Sequence, residues 1–313
     1  MLHPARRLRG SVAIALFAVM VVATGQSPDS LALDSECSRV ASDPAVVWCD
    51  DFETLEEMTA KYYDYDSDDG ELAVLSGEGL AGSRGLRASW QAGEDSAGAF
   101  KRMFGRNPIT TQSHGSENIR DVYWRQHVRT APGWSGNPYK LSRATIFANA
   151  AWAQAMIAHV WGDGAGDSLI LDPASGVNLS GQLATTKYND FANLRWLGQA
   201  RASVPVFAPA SANRWYCVET HVRLNTPGQS DGVFELWIDG VLDGRRSGLS
   251  WVGTWQQYGI NAIAFENYWN GGAPGPRVRF IDNIVISKQP IGCQAPSTLP
   301  GAPRNLRVTP GSV

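Results

Sequence analysis

Hydrophobic and polar residues alternate with a period of two through much of the chain, most clearly between Trp215 and Gly240. Tyr216, Val218, Val222 and Leu224 fall on one side of an extended segment, and Trp215, Cys217, Glu219, His221 and Arg223 fall on the other. Phe234, Leu236 and Ile238 then alternate with Glu235, Trp237 and Asp239. This period predicts two strands, each with one apolar and one mixed face. Residues 225–232 between them supply Pro, Gly and Asp, which set turn dihedrals. Asp239-Gly240 is a second turn signal that leads into a further segment.

The same pattern predicts strands at Val46–Glu53, Gly85–Trp90, Lys140–Phe147, Trp152–Gly162 and Ser168–Pro173. Shorter ones are expected at Asn193–Gly198 and Val204–Phe207, and two more at Tyr258–Asn267 and Arg277–Ser287. Asp121–Thr130 is also a strand, with Tyr123, Arg125, His127 and Arg129 on one face and Val122, Trp124, Gln126 and Val128 on the other. The Ala-rich run around Asn149 has β-branched and aromatic neighbours, which argue against a helix. Residues 62–71 form an acidic loop with a superficial likeness to a calcium loop. Asp69 stands where that loop needs Gly and Leu75 where it needs its bidentate Glu, so a solvated loop is expected. Regularly spaced strands with Gly, Pro and Asn turns imply an all-β, two-sheet antiparallel β-sandwich of the jelly-roll kind.

Composition bounds this picture. Arg6, Arg7 and Arg9 precede an apolar run from Val12 to Ala23, so residues 1–25 are expected to be a secretory signal peptide, too short to span a bilayer. A polar arm, 26–45, then leads into one domain, 46–293, of a size that suits a single large sandwich. A net charge of -3 offers no global attraction to nucleic acid or a membrane surface, and a monomer is expected. From Gln294 the chain is Pro-rich, and 294–313 is expected to be a linker or the opening of a truncated fibronectin-type-III-like module. Four cysteines in an exported chain suggest two disulfides. Three pairings are open; the favoured one joins Cys37 to Cys49 as a short staple and Cys217 to Cys293 at the end of the domain. Their spacing fits no zinc motif.

The stretch W-x-x-V-x-x-x-V-x-L-N-T-P-G-x-x-D-G-x-x-x-x-W-x-D-G, Trp215 to Gly240, resembles the paired inner strands of concanavalin A-like jelly rolls. It is most similar to those of secreted polysaccharide lyases of the alginate-lyase and glucuronan-lyase type. Three further segments carry the resemblance. Ile157 to Gly162 resembles the I-A-Q-I-H-G strand of alginate lyases, with His159 and Trp161 where that strand has Gln and His. Lys140 to Arg143 resembles a G-K-L-P strand whose Lys acts at the catalytic centre. Ala264 to Gly272 resembles a strand that carries a catalytic Tyr, which here is Tyr268. The same sandwich serves lectins, hydrolases and lyases, so the fold alone does not set the chemistry.

β-Elimination of a uronate needs three things: a donor that neutralises the carboxylate, a base at C5 and an acid for the leaving oxygen. The resemblance implies Lys140, His159 and Tyr268 as catalytic candidates, and Arg125 joins them from the basic stripe Arg125–His127–Arg129. His127, Arg129, Arg143 and Arg195 are expected to hold substrate carboxylates, with Trp161 and Trp269 as stacking platforms. No cofactor is needed for this chemistry. Asp282 lies in an apolar stripe and needs a partner; related sandwiches hold calcium between first and last strands, so Asp51 or Glu53 is expected to join Asp282 there. The alternative for Asp282 is hydrogen bonding to backbone N–H groups. The compact Glu-x-Asp-x-(x)-Glu motif of laminarinase-type hydrolases is absent. The expectation is therefore a secreted lyase of acidic polysaccharide. The alternatives are a non-catalytic carbohydrate-binding domain, with aromatic platforms but no base and acid, and a structural adhesion module, with neither.

Overall fold

The computed structural model of the chain describes residues 35–293 apart from 112–114, 137, 139 and 165. The expected signal peptide and the Pro-rich tail lie outside the described residues. Two short helices, α1 (Glu36–Val40) and α2 (Met58–Lys61), accompany sixteen strands among those residues. In chain order the strands are β1 (Val46–Asp50), β2 (Asp64–Asp66), β3 (Leu72–Ser76), β4 (Arg84–Trp90), β5 (Ser96–Met103), β6 (Asp121–Thr130), β7 (Lys140–Phe147) and β8 (Gln154–Gly162). They continue as β9 (Leu169–Ser175), β10 (Arg195–Trp196), β11 (Ala200–Arg201), β12 (Tyr216–Arg223), β13 (Gly232–Ile238), β14 (Val241–Leu249), β15 (Ala262–Tyr268) and β16 (Arg277–Ser287).

The strands form two antiparallel eight-stranded sheets. The first runs β14-β13-β12-β6-β16-β4-β3, with β1 also on β16; the second runs β10-β9-β8-β7-β15-β5-β2, with β11 also on β9. Val122 and Trp124 of β6, Val218 and Val222 of β12 and Ile284 and Ile286 of β16 face Ala144 and Ile146 of β7, Val160 of β8 and Phe265 of β15 in one core. The period of two seen in the sequence is thus the inward face of each sheet.

Several strands differ from the expectation. Val204–Phe207 is loop, and Asn193–Gly198 contains only the two-residue β10. The strands β2, β3, β5, β11 and β14 are additional. β5 carries Lys101 and Arg102 at positions that are nevertheless covered: Lys101 pairs with Asp64, and Arg102 lies 3.5 Å from the centre of the Trp48 ring. β14 is a polar edge strand containing Asp243, Arg245 and Arg246, so it shows no apolar stripe.

The disulfides are Cys37–Cys49 and Cys217–Cys293. They hold α1 and the segment after β16 against the outer face of the first sheet. Arg125, on β6, sits beneath both: it is 1% exposed, pairs with Glu36 and donates to the Gly292 carbonyl at 2.8 Å. Glu219 accepts the amides of Ile291 and Gly292, each at 2.8 Å. His127, beside it on the same face, is also buried, and burial, reinforced by Arg125, pulls its pKa down to about 4. Arg129 lies over Phe280 and pairs with Glu78. Arg125 of the basic stripe is therefore a covered clamp for the two ends of the domain, and the whole stripe lies on the sheet opposite the one that carries Lys140 and Tyr268.

Two outcomes follow from this clamp. Arg125→Ala should lower the unfolding midpoint in urea, since it removes the cation that holds Glu36 and the Gly292 carbonyl together. His127 has a folded pKa below its unfolded value of about 6.5. Its contribution is fully present above that pH and is lost as pH falls towards about 4, at roughly 1.4 kcal/mol per pH unit. Urea titrations at pH 7 and pH 5 should therefore show a larger loss for the wild type than for His127→Gln, and equal losses would refute this origin.

The carboxylates expected to share calcium are each engaged by protein donors. Asp282 accepts from Leu80 N at 2.7 Å, Ser83 Oγ at 3.1 Å and Asn283 N at 2.7 Å. Asp51 accepts from Cys37 N at 2.8 Å, and Glu53 from Arg84 N at 2.8 Å. Burial, with Glu53 nearby, pushes Asp282 up to about 7. Among the described residues, no group of three or more His, Cys, Asp or Glu side chains is arranged to hold a metal ion.

Candidate functional site

Strands with one solvated face show alternating burial, but β7, β8 and β9 are buried at almost every position. The outer face of the second sheet is therefore covered in part. The cover is the chain between β9 and β10: Leu194 packs on Ile157 and Ala174, and Tyr188 packs with Phe147, Met103 and Ala262. The part left open is a cleft of about 770 Å³.

Strand register sets what faces this cleft. One cross-strand row runs Tyr268–Lys140–Trp161, and the next runs Lys101–Ala264–Arg143–His159–Asp172. Lys140, Trp161 and Tyr268 line the cleft from β7, β8 and β15, Asn270 from the turn after β15, Asp172 from β9, Asn189 and Phe191 from the covering chain, Trp196 from β10, and Gly198 and Gln199 from the link between β10 and β11. The Lys140 Nζ stands 4.3 Å from the centre of the Tyr268 ring. Burial lowers the pKa of Lys140, with Arg143 and Lys101 adding to the shift and Glu266 opposing it. The turn that follows Tyr268 needs Gly272, at φ +84°, because a Cβ there would sit 2.7 Å from the Gly93 carbonyl oxygen.

Two buried arginines brace the row. Arg143 donates to Asn189 Oδ1 at 2.8 Å and to Glu266 Oε1 at 2.9 Å, and it also bonds the Tyr188 hydroxyl. Asn189 adopts φ +52°, and its amide donates to Gln154 Oε1 at 2.8 Å. Because Arg143 takes the Asn189 oxygen, the Asn189 Nδ2 hydrogens point elsewhere, and Asn189 lines the cleft. Arg279 reaches across the core from β16. It donates to the carbonyls of Lys140 at 3.3 Å and Glu266 at 2.8 Å and to the Asn267 side chain, fixing β7 and β15 directly behind Lys140 and Tyr268. Burial draws its pKa down to about 9.

His159 lies beneath the cleft wall. It is 1% exposed, between Trp161 and Trp196. Its Nδ1 is 3.1 Å from the Asp172 carbonyl, an acceptor, so Nδ1 carries the proton. Burial, with Arg143 nearby, holds its pKa well below the usual value, so the ring is neutral. Its Nε2 has no partner among the described residues. His159 supports the aromatic wall and does not reach the cleft lumen.

Of the residues expected from the sequence, Lys140, Tyr268 and Trp161 come together, with His159 and Arg143 immediately behind them. Arg125, His127 and Arg129 are on the other sheet. Arg195 donates to the Ser250 carbonyl at 3.2 Å. Trp269 turns into the core against Trp90 and Trp134. Asn189, Asp172, Gln199, Phe191, Trp196 and Glu266 were not anticipated. Burial raises the pKa of Asp172, against a hydrogen bond of 2.9 Å from Gln199.

A two-sheet jelly roll with an open cleft across one sheet is the concanavalin A-like architecture. Solved structures bear this out. The chain is similar to alginate lyase vAL-1 from Chlorella virus, with a TM-score of 0.56 at 14% identity over 78% of this chain and 100% of that one. It is similar to the endo-β-1,4-glucuronan lyase of the fungus Trichoderma reesei, at 0.52 and 12% over 78% and 96%. It is likewise similar to a marine alginate lyase from Aplysia kurodai, at 0.52 and 14% over 77% and 98%. No protein-family model matches the chain. No curated protein matches it in sequence. At these identities the likeness is one of fold.

Proposed function

We propose that the protein is an exported lyase that cleaves a uronate-containing polysaccharide by β-elimination. The observation that carries this reading is the pairing of Lys140 with Tyr268 in the cleft, one strand row from Arg143. The fold shared with alginate and glucuronan lyases and the two disulfides agree with it.

In this reading the Asn189 Nδ2 group donates to the uronate carboxylate and stabilises the charge that develops when C5 loses its proton. Lys140, whose proton affinity burial lowers, accepts that proton when in its neutral form. The C5–H electrons form the C4=C5 double bond, the C4–O4 bond breaks, and the Tyr268 hydroxyl gives its proton to O4. A proton then passes from Lys140 to the Tyr268 phenolate, which restores both groups. The rate should rise with pH as Lys140 deprotonates, along a limb below the ordinary lysine range. A pH–rate profile that is flat across this limb would remove Lys140 as the base.

Two carboxylates also reach this face, and a hydrolase would need such a pair. Glu266 is on β15 and Asp172 on β9, with β7 and β8 between them. Three strand spacings separate them by about 14 Å, beyond the roughly 5–9.5 Å that glycoside hydrolysis requires. Elimination is therefore favoured over hydrolysis.

The test is the ultraviolet absorbance of the unsaturated uronate product. It should rise with the wild type and stay flat with Lys140→Ala, at equal folded concentration.

A further inference from the structure

The two ends of the cleft differ in chemistry. Lys140 stands at the β7–β15 end, with Arg143 and Lys101 close behind it in the strand register. The β9–β10 end presents Phe191 and Trp196, each about two-fifths exposed, with their planes within 16° and centroids 6.3 Å apart. Large aromatic side chains at the surface are otherwise uncommon in this domain. Asp172 and Gln199 flank the pair. Among the described residues no Lys or Arg lines that end: Arg195 and Arg246 lie near it, but they donate to the carbonyls of Ser250 and Leu197. Trp161, which pairs across the strands with Lys140, has its ring centroid 6.0 Å from that of Trp196, so the two ends are continuous within one cleft.

We propose that the Phe191–Trp196 end is a subsite for an uncharged pyranose, and that the substrate carries uronates and neutral sugars in one chain rather than being a homopolyuronate. The argument is chemical. The flat C–H face of a pyranose covers an aromatic plane and removes apolar surface from water. A sugar hydroxyl can donate to the Asp172 carboxylate, whereas an ionised uronate carboxylate has no proton to give and is repelled by it. At the other end the Asn189 Nδ2 donor, with the Arg143 cation behind it, favours the charged sugar. This assignment rests on the lyase reading, and it deepens that reading from uronate-containing polymers in general to mixed ones.

The experiment compares elimination of alginate and polyglucuronate with that of polymers alternating a uronate and a neutral hexose. The wild type, Trp196→Ala and Asp172→Asn are assayed in parallel. The wild type should show a kcat/KM at least about tenfold higher on the mixed polymers. Trp196→Ala should lose that preference through KM with kcat little changed. Asp172→Asn, an isosteric change, should gain activity on the homopolyuronates. A wild type that cleaves homopolyuronates as well as mixed polymers overturns the assignment, as does a Trp196→Ala variant with unaltered KM. If no polymer yields the double bond, the lyase reading fails by itself, and affinity electrophoresis through gels containing the mixed polymer then decides the subsite. Retardation that Trp196→Ala abolishes sustains it, and its absence overturns it.

Discussion

Tyr268→Phe is expected to lower the rate of uronate elimination by roughly 10²–10⁴-fold, with the fold intact. Only the hydroxyl is removed. The ring, with Lys140 4.3 Å from its centre, keeps its packing. Without the hydroxyl, O4 must leave as an alkoxide or take a proton from water, so the loss should fall on kcat and leave KM almost unchanged. A residual rate that rises when small weak acids are added would identify the missing group as the proton donor. A Tyr268→Phe variant with full activity would place the acid elsewhere.

Arg143→Ala is the largest expected loss of stability, about 3–5 kcal/mol. Arg143 is 1% exposed and is the cation of a buried group that includes Glu266, Tyr188 and Asn189. The Glu266 Oε2 atom already has no partner, so removing the arginine leaves a buried carboxylate uncompensated. Pairing the change with Glu266→Gln removes that charge and should recover part of the stability. It should not recover activity, because Asn189 loses the bond that orients its amide. Urea unfolding and the elimination assay on the same two variants separate the effects. Equal stability of Arg143→Ala and the wild type would contradict the buried network.

The architecture was legible in the sequence because a sandwich writes its inner faces as a period of two. The expected boundaries Asp121–Thr130, Lys140–Phe147 and Arg277–Ser287 coincide with β6, β7 and β16. That Lys140 and Tyr268 share the cleft was legible because each lies in a short segment with a local resemblance. The Arg125 stripe was misplaced for a physical reason: alternation shows which residues share a face, not what covers it. Here the cover comes from residues near Glu36 and Gly292, far away in the chain. Trp269 was misjudged as a platform because it adjoins Tyr268. Neighbours on a strand point to opposite faces, and after the register shift between Glu266 and Tyr268 it is Tyr268 that faces the cleft. Asn189 and Phe191 come from the chain before β10 and Gln199 from the chain after it, segments with no period, and they reach the site only because those segments fold back over the sheet. The one signal was compositional: Tyr188-Asn189-Asp190 places an Asn, which tolerates a left-handed conformation, beside an aromatic residue in an otherwise polar turn.

The measurement that tests the central claim most directly is the ultraviolet absorbance of an unsaturated uronate. It is followed with purified protein on a panel of alginate, glucuronan, pectate, glycosaminoglycans and mixed uronate–hexose polymers. The account predicts a steady rise with at least one of them, abolished in Tyr268→Phe. A flat trace across the panel, while the wild type is still retarded in gels containing one of those polymers, would contradict it and assign the cleft to carbohydrate binding without catalysis.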